Sequence, residues 1–82
     1  MNQAEGRSVL EGLVRRIFQA PTYALDVGDT WERLPNWDSL SYVQLIVEAQ
    51  KAFGVKISAL AAGQFRSVGD LLAAVMKEAP RA

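Results

Sequence analysis

Asp38-Ser39-Leu40-Ser41-Tyr42-Val43-Gln44-Leu45-Ile46-Val47-Glu48-Ala49-Gln50-Lys51-Ala52-Phe53-Gly54 is the stretch that decides the fold. Within it, Leu40, Val43, Ile46, Val47 and Phe53 recur at spacings of three and four, and Leu45 and Ala49 widen the apolar stripe. That period predicts an amphipathic helix over residues 39–53. Asp38 is placed to cap it, because a short carboxylate accepts the free N–H groups of a first turn and suits the positive end of the helix dipole. Gly54 falls where a left-handed residue ends a helix. On a helical wheel Tyr42, Leu45, Ile46, Ala49 and Phe53 form the inward side, with Val43 and Val47 nearer its edge.

Working outward toward the N-terminus, residues 20–37 make a long connection with Pro21, Gly28, Asp29, Pro35 and Asn36. Connections longer than about 12–15 residues without structure of their own are uncommon and tend to be functional. This one also holds Leu25, Val27, Trp31, Leu34 and Trp37, and most of those side chains are expected to pin the loop across the helices. Upstream, Val9, Leu10, Leu13, Val14, Ile17 and Phe18 lie at helical spacing with Arg7, Glu11, Arg15 and Arg16 between them, which predicts a first helix over residues 6–18. Arg15-Arg16 reads as a solvated helix face.

Toward the C-terminus, Val55-Lys56-Ile57-Ser58 alternates too briefly to argue for a sheet. Residues 59–66 read as a short helix or a single turn, and the small Ala59, Ala61, Ala62 and Gly63 as a tight turn rather than as room for a bound chain. Ser67-Val68-Gly69-Asp70 fits the acidic variant of a capping box. It opens a last helix through Leu71, Leu72, Val75 and Met76, with Pro80 closing it. The expected architecture is all-α: three main helices, one short one, and a long loop between the first two. One domain is expected over residues 1–82, with its core at about 6–78.

Composition bounds what such a bundle can do. Half of the 82 residues are apolar, and cysteine and histidine are both absent. Disulfides, thiolate chemistry, the usual zinc ligands and the commonest general base at neutral pH are thereby removed. No metal ligand set is evident, and a Ser-His-Asp arrangement cannot be built from this chain. The expectation is a protein that is not an enzyme, whose difficult chemistry comes from a cofactor or a partner. Nine basic and nine acidic residues cancel, and no basic stripe suggests nucleic acid. No apolar run is long enough to cross a membrane, and no secretory signal precedes the first helix. A soluble, cytoplasmic monomer is expected.

Ser39 stands at the junction of the long loop and the strongest helix, where backbone N–H groups and the dipole favour a negatively charged group. A serine in that place is, by itself, most often only a cap. The wider pattern adds to it. Asp38-Ser39-Leu40-x-x-Val43-x-Leu45-Ile46, followed by Phe53-Gly54-Val55-x-Ile57, closely resembles the acyl and peptidyl carrier proteins. Ser67-Val68-Gly69-Asp70-Leu71 resembles the opening of that family's final helix. The resemblance covers about residues 6–78.

The resemblance implies a four-helix fold and transfer of 4′-phosphopantetheine from coenzyme A to Ser39 by a phosphopantetheinyl transferase, with Asp38 and Leu40 at the base of the arm. The thiol that carries the substrate then belongs to the arm, which accounts for a chain without cysteine. Acyl or aminoacyl intermediates would ride on it as thioesters, between a loading enzyme and downstream synthases, transferases or tailoring enzymes. Trp37, Val43, Gln44 and Val47 are the expected docking residues. Trp37 has two readings: it shields the arm or touches a partner, or it is buried as a loop anchor.

Two departures from the family narrow the expectation. Its fatty-acid-synthesis carriers have a strongly acidic helix after the serine, whereas Glu48 is the one acid between residues 39 and 53 here. A dedicated carrier of polyketide or nonribosomal-peptide type is therefore expected, with weak long-range steering. The glycine pair that often precedes the peptidyl carriers' serine is replaced by Asn36-Trp37, leaving acyl and aminoacyl cargo both open. The rival from another class is a helical docking domain without a prosthetic group.

Overall fold

The computed structural model describes residues 2–78. The predicted periodicities resolve into α1 (Gln3–Ile17), α2 (Ser39–Phe53), α3 (Ala59–Gln64) and α4 (Val68–Glu78). This is the expected all-α bundle of three main helices and one short one. Pro80, expected to close the last helix, lies outside the described residues. Among those residues no helix is long and apolar enough to cross a membrane.

α1 begins earlier than its apolar pattern suggests. Asn2 accepts the Glu5 amide at 2.8 Å and donates its own amide to Glu5 Oε1 at 2.8 Å. This cap adds a polar first turn that hydrophobic spacing cannot register. Its other end is a left-handed Gln19 (φ 54°), with the Ala20 amide bonded back to Arg15 O at 2.9 Å. Residues without Gly's freedom rarely hold that conformation, and here the backbone bond and Pro21 beyond it fix the stop.

Leu10 and Val14 of α1, Leu45 and Ala49 of α2, and Leu71, Leu72 and Val75 of α4 meet in one core, with Phe18 and Phe53 at its ends. α1 packs on both α2 and α4, and α2 packs on α4. Each fully buried Leu or Phe contributes roughly 1.5–3 kcal/mol relative to exposure.

The long connection is held from both sides. Leu25, Trp31 and Leu34 are buried in the core, so three of its five large apolar residues pin it as expected. Val27 and Trp37 do not and are exposed. The polar face of α1 bonds the loop main chain: Glu11 accepts the Leu25 amide at 2.8 Å, and Arg15 Nε donates to Tyr23 O at 2.7 Å. A 3₁₀ turn, Trp31–Arg33, then sets the Trp31 indole N–H 3.0 Å from Phe65 O and its ring edge-on to Tyr42.

The loop also caps α4. Asp29 O accepts the Val68 amide at 2.9 Å and Val27 O the Gly69 amide at 3.0 Å, beside an antiparallel bridge between Thr30 and Ser67. This approach requires a glycine, since a Cβ on Gly69 would overlap Val27 O and stand 2.9 Å from Val27 Cβ. The expected capping box is half formed. Ser67 Oγ accepts the Asp70 amide at 3.2 Å, but the Asp70 carboxylate takes the Arg66 amide at 2.8 Å.

Candidate functional site

α2 presents Ser39 as its first residue, and the local sequence explains why it stops there. Asp38 is extended (φ −152°, ψ 177°) and its Oδ1 accepts the Ser41 amide at 2.7 Å. Ser41 Oγ accepts the Asp38 amide at 3.0 Å, completing a reciprocal cap. Asn36, left-handed at φ 61°, turns the loop into this start and donates its side-chain amide to Phe18 O at 2.8 Å. Asn tolerates that conformation better than most residues. At the far end, Gly54 (φ 67°) terminates α2 as expected.

The two neighbouring serines have opposite circumstances. Ser41 is buried and fully engaged with Asp38. Ser39 is exposed, and among the described residues neither its hydroxyl nor its amide has a hydrogen-bond partner. The bonds from Ser41 also hold the Asp38 carboxyl below its ordinary value of 3.8, so it is ionised at neutral pH.

A phosphodiester on Ser39 Oγ fits this position. The hydroxyl faces solvent, the Ser39 amide is free to donate, and the positive end of a 15-residue helix favours an anion there. Ser39, Asp38 and Leu40 are thus contiguous at one helix start, with Leu40 projecting freely at 70% exposure.

Of the expected docking residues, Val43, Gln44 and Val47 come together. With Arg16 and Ile17 of α1 and with Glu48 they line a shallow groove of about 320 Å³. Val43 and Val47 are 56% and 41% exposed. Together with Leu40 they form an apolar strip down the outer face of α2. Trp37 does not line this groove. It stands on the loop beside Ser39 and is 37% exposed, outside the buried core that holds Trp31.

Sequence reasoning missed the contributions of Arg16, Ile17 and Ser41. Arg16 spans from α1 to Glu48 at 3.6 Å, and Lys51 meets the same carboxylate at 3.9 Å. The Arg15-Arg16 pair therefore divides, Arg15 serving the loop and Glu11, Arg16 serving α2. Ser41 was legible in principle, since Asp-x-x-Ser places a hydroxyl at the third helical position.

A wider groove of about 850 Å³ lies between the C-terminal end of α2, α3 and α4, lined by Gln50, Ile57, Ala61, Phe65 and Lys77 among others. Gln50 is about 16 Å along α2 from Ser39, so this groove is separate from the start of α2. Ala61, expected only to tighten a turn, belongs to its wall.

The comparisons agree with this geometry. The profile of the family described as "Phosphopantetheine attachment site" matches residues 8–75. Among solved structures, a candidate acyl carrier protein from Mycobacterium tuberculosis superposes with a TM-score of 0.80 at 24% identity, over 88% of this chain and 96% of that one. A holo acyl carrier protein from Geobacter metallireducens superposes with a TM-score of 0.80 at 26% identity, over 88% of this chain and 83% of that one. No curated protein sequence matches the chain. Members of the matched family are in general carriers and not catalysts, and they act with phosphopantetheinyl transferases and partner enzymes. With a family match spanning most of its length and a helix start suited to a phosphodiester, the chain belongs to the phosphopantetheine-binding carrier proteins, whose prosthetic group is covalently attached 4′-phosphopantetheine.

Proposed function

We propose that Ser39 bears the 4′-phosphopantetheine arm, and that the chain holds acyl or aminoacyl intermediates on it as thioesters for enzymes of polyketide or nonribosomal-peptide type. The observation that carries this is the free, exposed hydroxyl of Ser39 at the first position of α2, beside a second serine whose hydroxyl is tied into the cap. In the loading step Ser39 Oγ forms a bond to the phosphorus next to pantetheine in coenzyme A. The bond from that phosphorus to the leaving 3′,5′-adenosine diphosphate breaks. The serine proton goes to a base of the transferase, since this chain has no histidine to take it. Once attached, the arm supplies the thiol that forms the thioester.

The chain itself provides a rigid mounting. Asp38 and Ser41 fix the start of α2, and the core beneath it holds the helix in place, so that partners meet the arm at one defined point. Tethering keeps the cargo at high effective concentration near those partners. Leu40, Val43, Gln44, Val47 and Trp37 are the contact surface. The assignment to a specialised pathway rests on the charge state of α2, whose single acid, Glu48, is already engaged by Arg16 and Lys51.

The test is incubation with coenzyme A and a broad-specificity phosphopantetheinyl transferase, followed by intact mass. One added phosphopantetheine, absent from Ser39→Ala, is expected. No addition with any of several transferases would leave the helical docking domain as the better reading.

A further inference from the structure

Among the described residues Trp37 is the one aromatic side chain left exposed, and the fold holds its backbone on both sides. Asn36, left-handed, is tied to Phe18 O, and Asp38 is locked into the cap with Ser41. Asp38 is extended, so its neighbours' side chains leave the backbone on the side opposite its own. Trp37 and Ser39 therefore share a side, with their Cα atoms roughly 6.5 Å apart. The Trp37 indole N–H has no hydrogen-bond partner among the described residues, in contrast to that of Trp31.

Charge favours the same side. The Asp38 carboxylate is exposed, ionised at neutral pH and turned toward the Ser41 amide. It repels a phosphodiester on Ser39 Oγ at short range, and the side away from that carboxylate is the one Trp37 occupies. Pantetheine carries a carbon with two methyl groups a few bonds beyond its phosphate. That distance is within reach of a ring mounted two residues from the attachment oxygen.

We propose that Trp37 is a positioning residue for the phosphopantetheine arm, its indole face packing on those two methyl groups and holding the arm to the loop side of α2. This rests on the assignment of Ser39 as the attachment residue. Burying about one methyl group on the ring favours contact over a free arm by roughly fourfold. The arm then leaves Ser39 in a preferred direction, toward the long loop rather than along the helix. The contact is apolar, so it persists at high salt, which screens only the repulsion from Asp38.

The experiment is nuclear magnetic resonance on the full chain loaded from coenzyme A, after intact mass has shown one added phosphopantetheine. Expected are cross-relaxation peaks between the Trp37 indole protons and the two pantetheine methyl groups. Both methyl signals should also lie upfield of their positions in coenzyme A, because they sit over a ring face. Trp37→Leu should return them to those positions with circular dichroism unchanged, and Trp37→Phe should keep a smaller upfield shift. In Trp31→Phe, where Trp37 is the only tryptophan, quenching by acrylamide should fall on loading. Methyl signals at their coenzyme A positions in the loaded wild type, or an upfield shift that survives Trp37→Leu, overturns the inference and leaves Ser39 in place. Absence of the mass gain in the wild type, or an adduct on another residue, overturns the Ser39 assignment and the inference with it.

Discussion

Ser41 and Asp38 close a reciprocal cap, amide to Oδ1 at 2.7 Å and amide to Oγ at 3.0 Å, that spans Ser39 and Leu40 and leaves the Ser39 hydroxyl without a partner among the described residues. The cap separates two roles that the sequence places two residues apart. Ser41→Ala should cost about 1 kcal/mol of stability, since the Asp38 amide loses its partner, and the variant should still accept the arm. Ser39→Ala should unfold at the wild-type temperature and accept nothing. Thermal unfolding and intact mass on the two variants check both halves.

The same cap gives a pH dependence. The Ser41 bonds hold the folded Asp38 carboxyl below 3.8. A carboxyl lowered on folding adds stability above its unfolded value, and that contribution is lost as pH falls through the folded value. Fraying of the α2 start is therefore expected only at pH below about 3.8, and Asp38→Asn should remove that component. A carbon-detected titration of the Asp38 carboxyl with a midpoint at or above 3.8 would contradict it.

Gly69 is the point where the long loop rests on α4. Gly69→Ala forces Cβ into Val27 O and Val27 Cβ, and both belong to the residue whose carbonyl caps the helix. Overpacking of this kind costs typically 1–3 kcal/mol. A denaturation midpoint equal to the wild type's would show that the loop can lift away freely.

Trp31 joins the loop to the segment after α3 through its bond to Phe65 O. Trp31→Phe should lower stability by about 1 kcal/mol, because that carbonyl loses its donor. It also leaves Trp37 as the only tryptophan. Emission of the folded variant should then be red-shifted relative to the wild type, reporting the exposed indole beside Ser39. A blue-shifted spectrum would mean that Trp37 is buried after all.

What could be read from the sequence was local. Both ends of α2 follow from single residues, Asp38 and Gly54, and the inward residues Leu45, Ile46, Ala49 and Phe53 follow from period alone. The start of α1 was missed because Asn2 and Glu5 form a polar cap outside the apolar stripe. The Ser67 box was half right, because the second bond depends on which amide Asp70 can reach after Thr30 and Ser67 pair across the molecule.

What could not be read was tertiary. No local pattern shows that Arg7, Glu11 and Arg15 bond the main chain of the loop, or that Val27 and Asp29 cap a helix some forty residues later. For the site, the position of Ser39 was legible from its motif. The neutralisation of Glu48 by Arg16 was not, since it joins two helices whose facing is set only by packing.

The most direct measurement locates the arm. After loading from coenzyme A, cleavage after Arg33 and Lys51 releases a peptide of residues 34–51 that contains both Ser39 and Ser41. Fragmentation of that peptide should place a single phosphopantetheine on Ser39 with Ser41 unmodified. An adduct on Ser41, or on any peptide outside residues 34–51, would contradict the account.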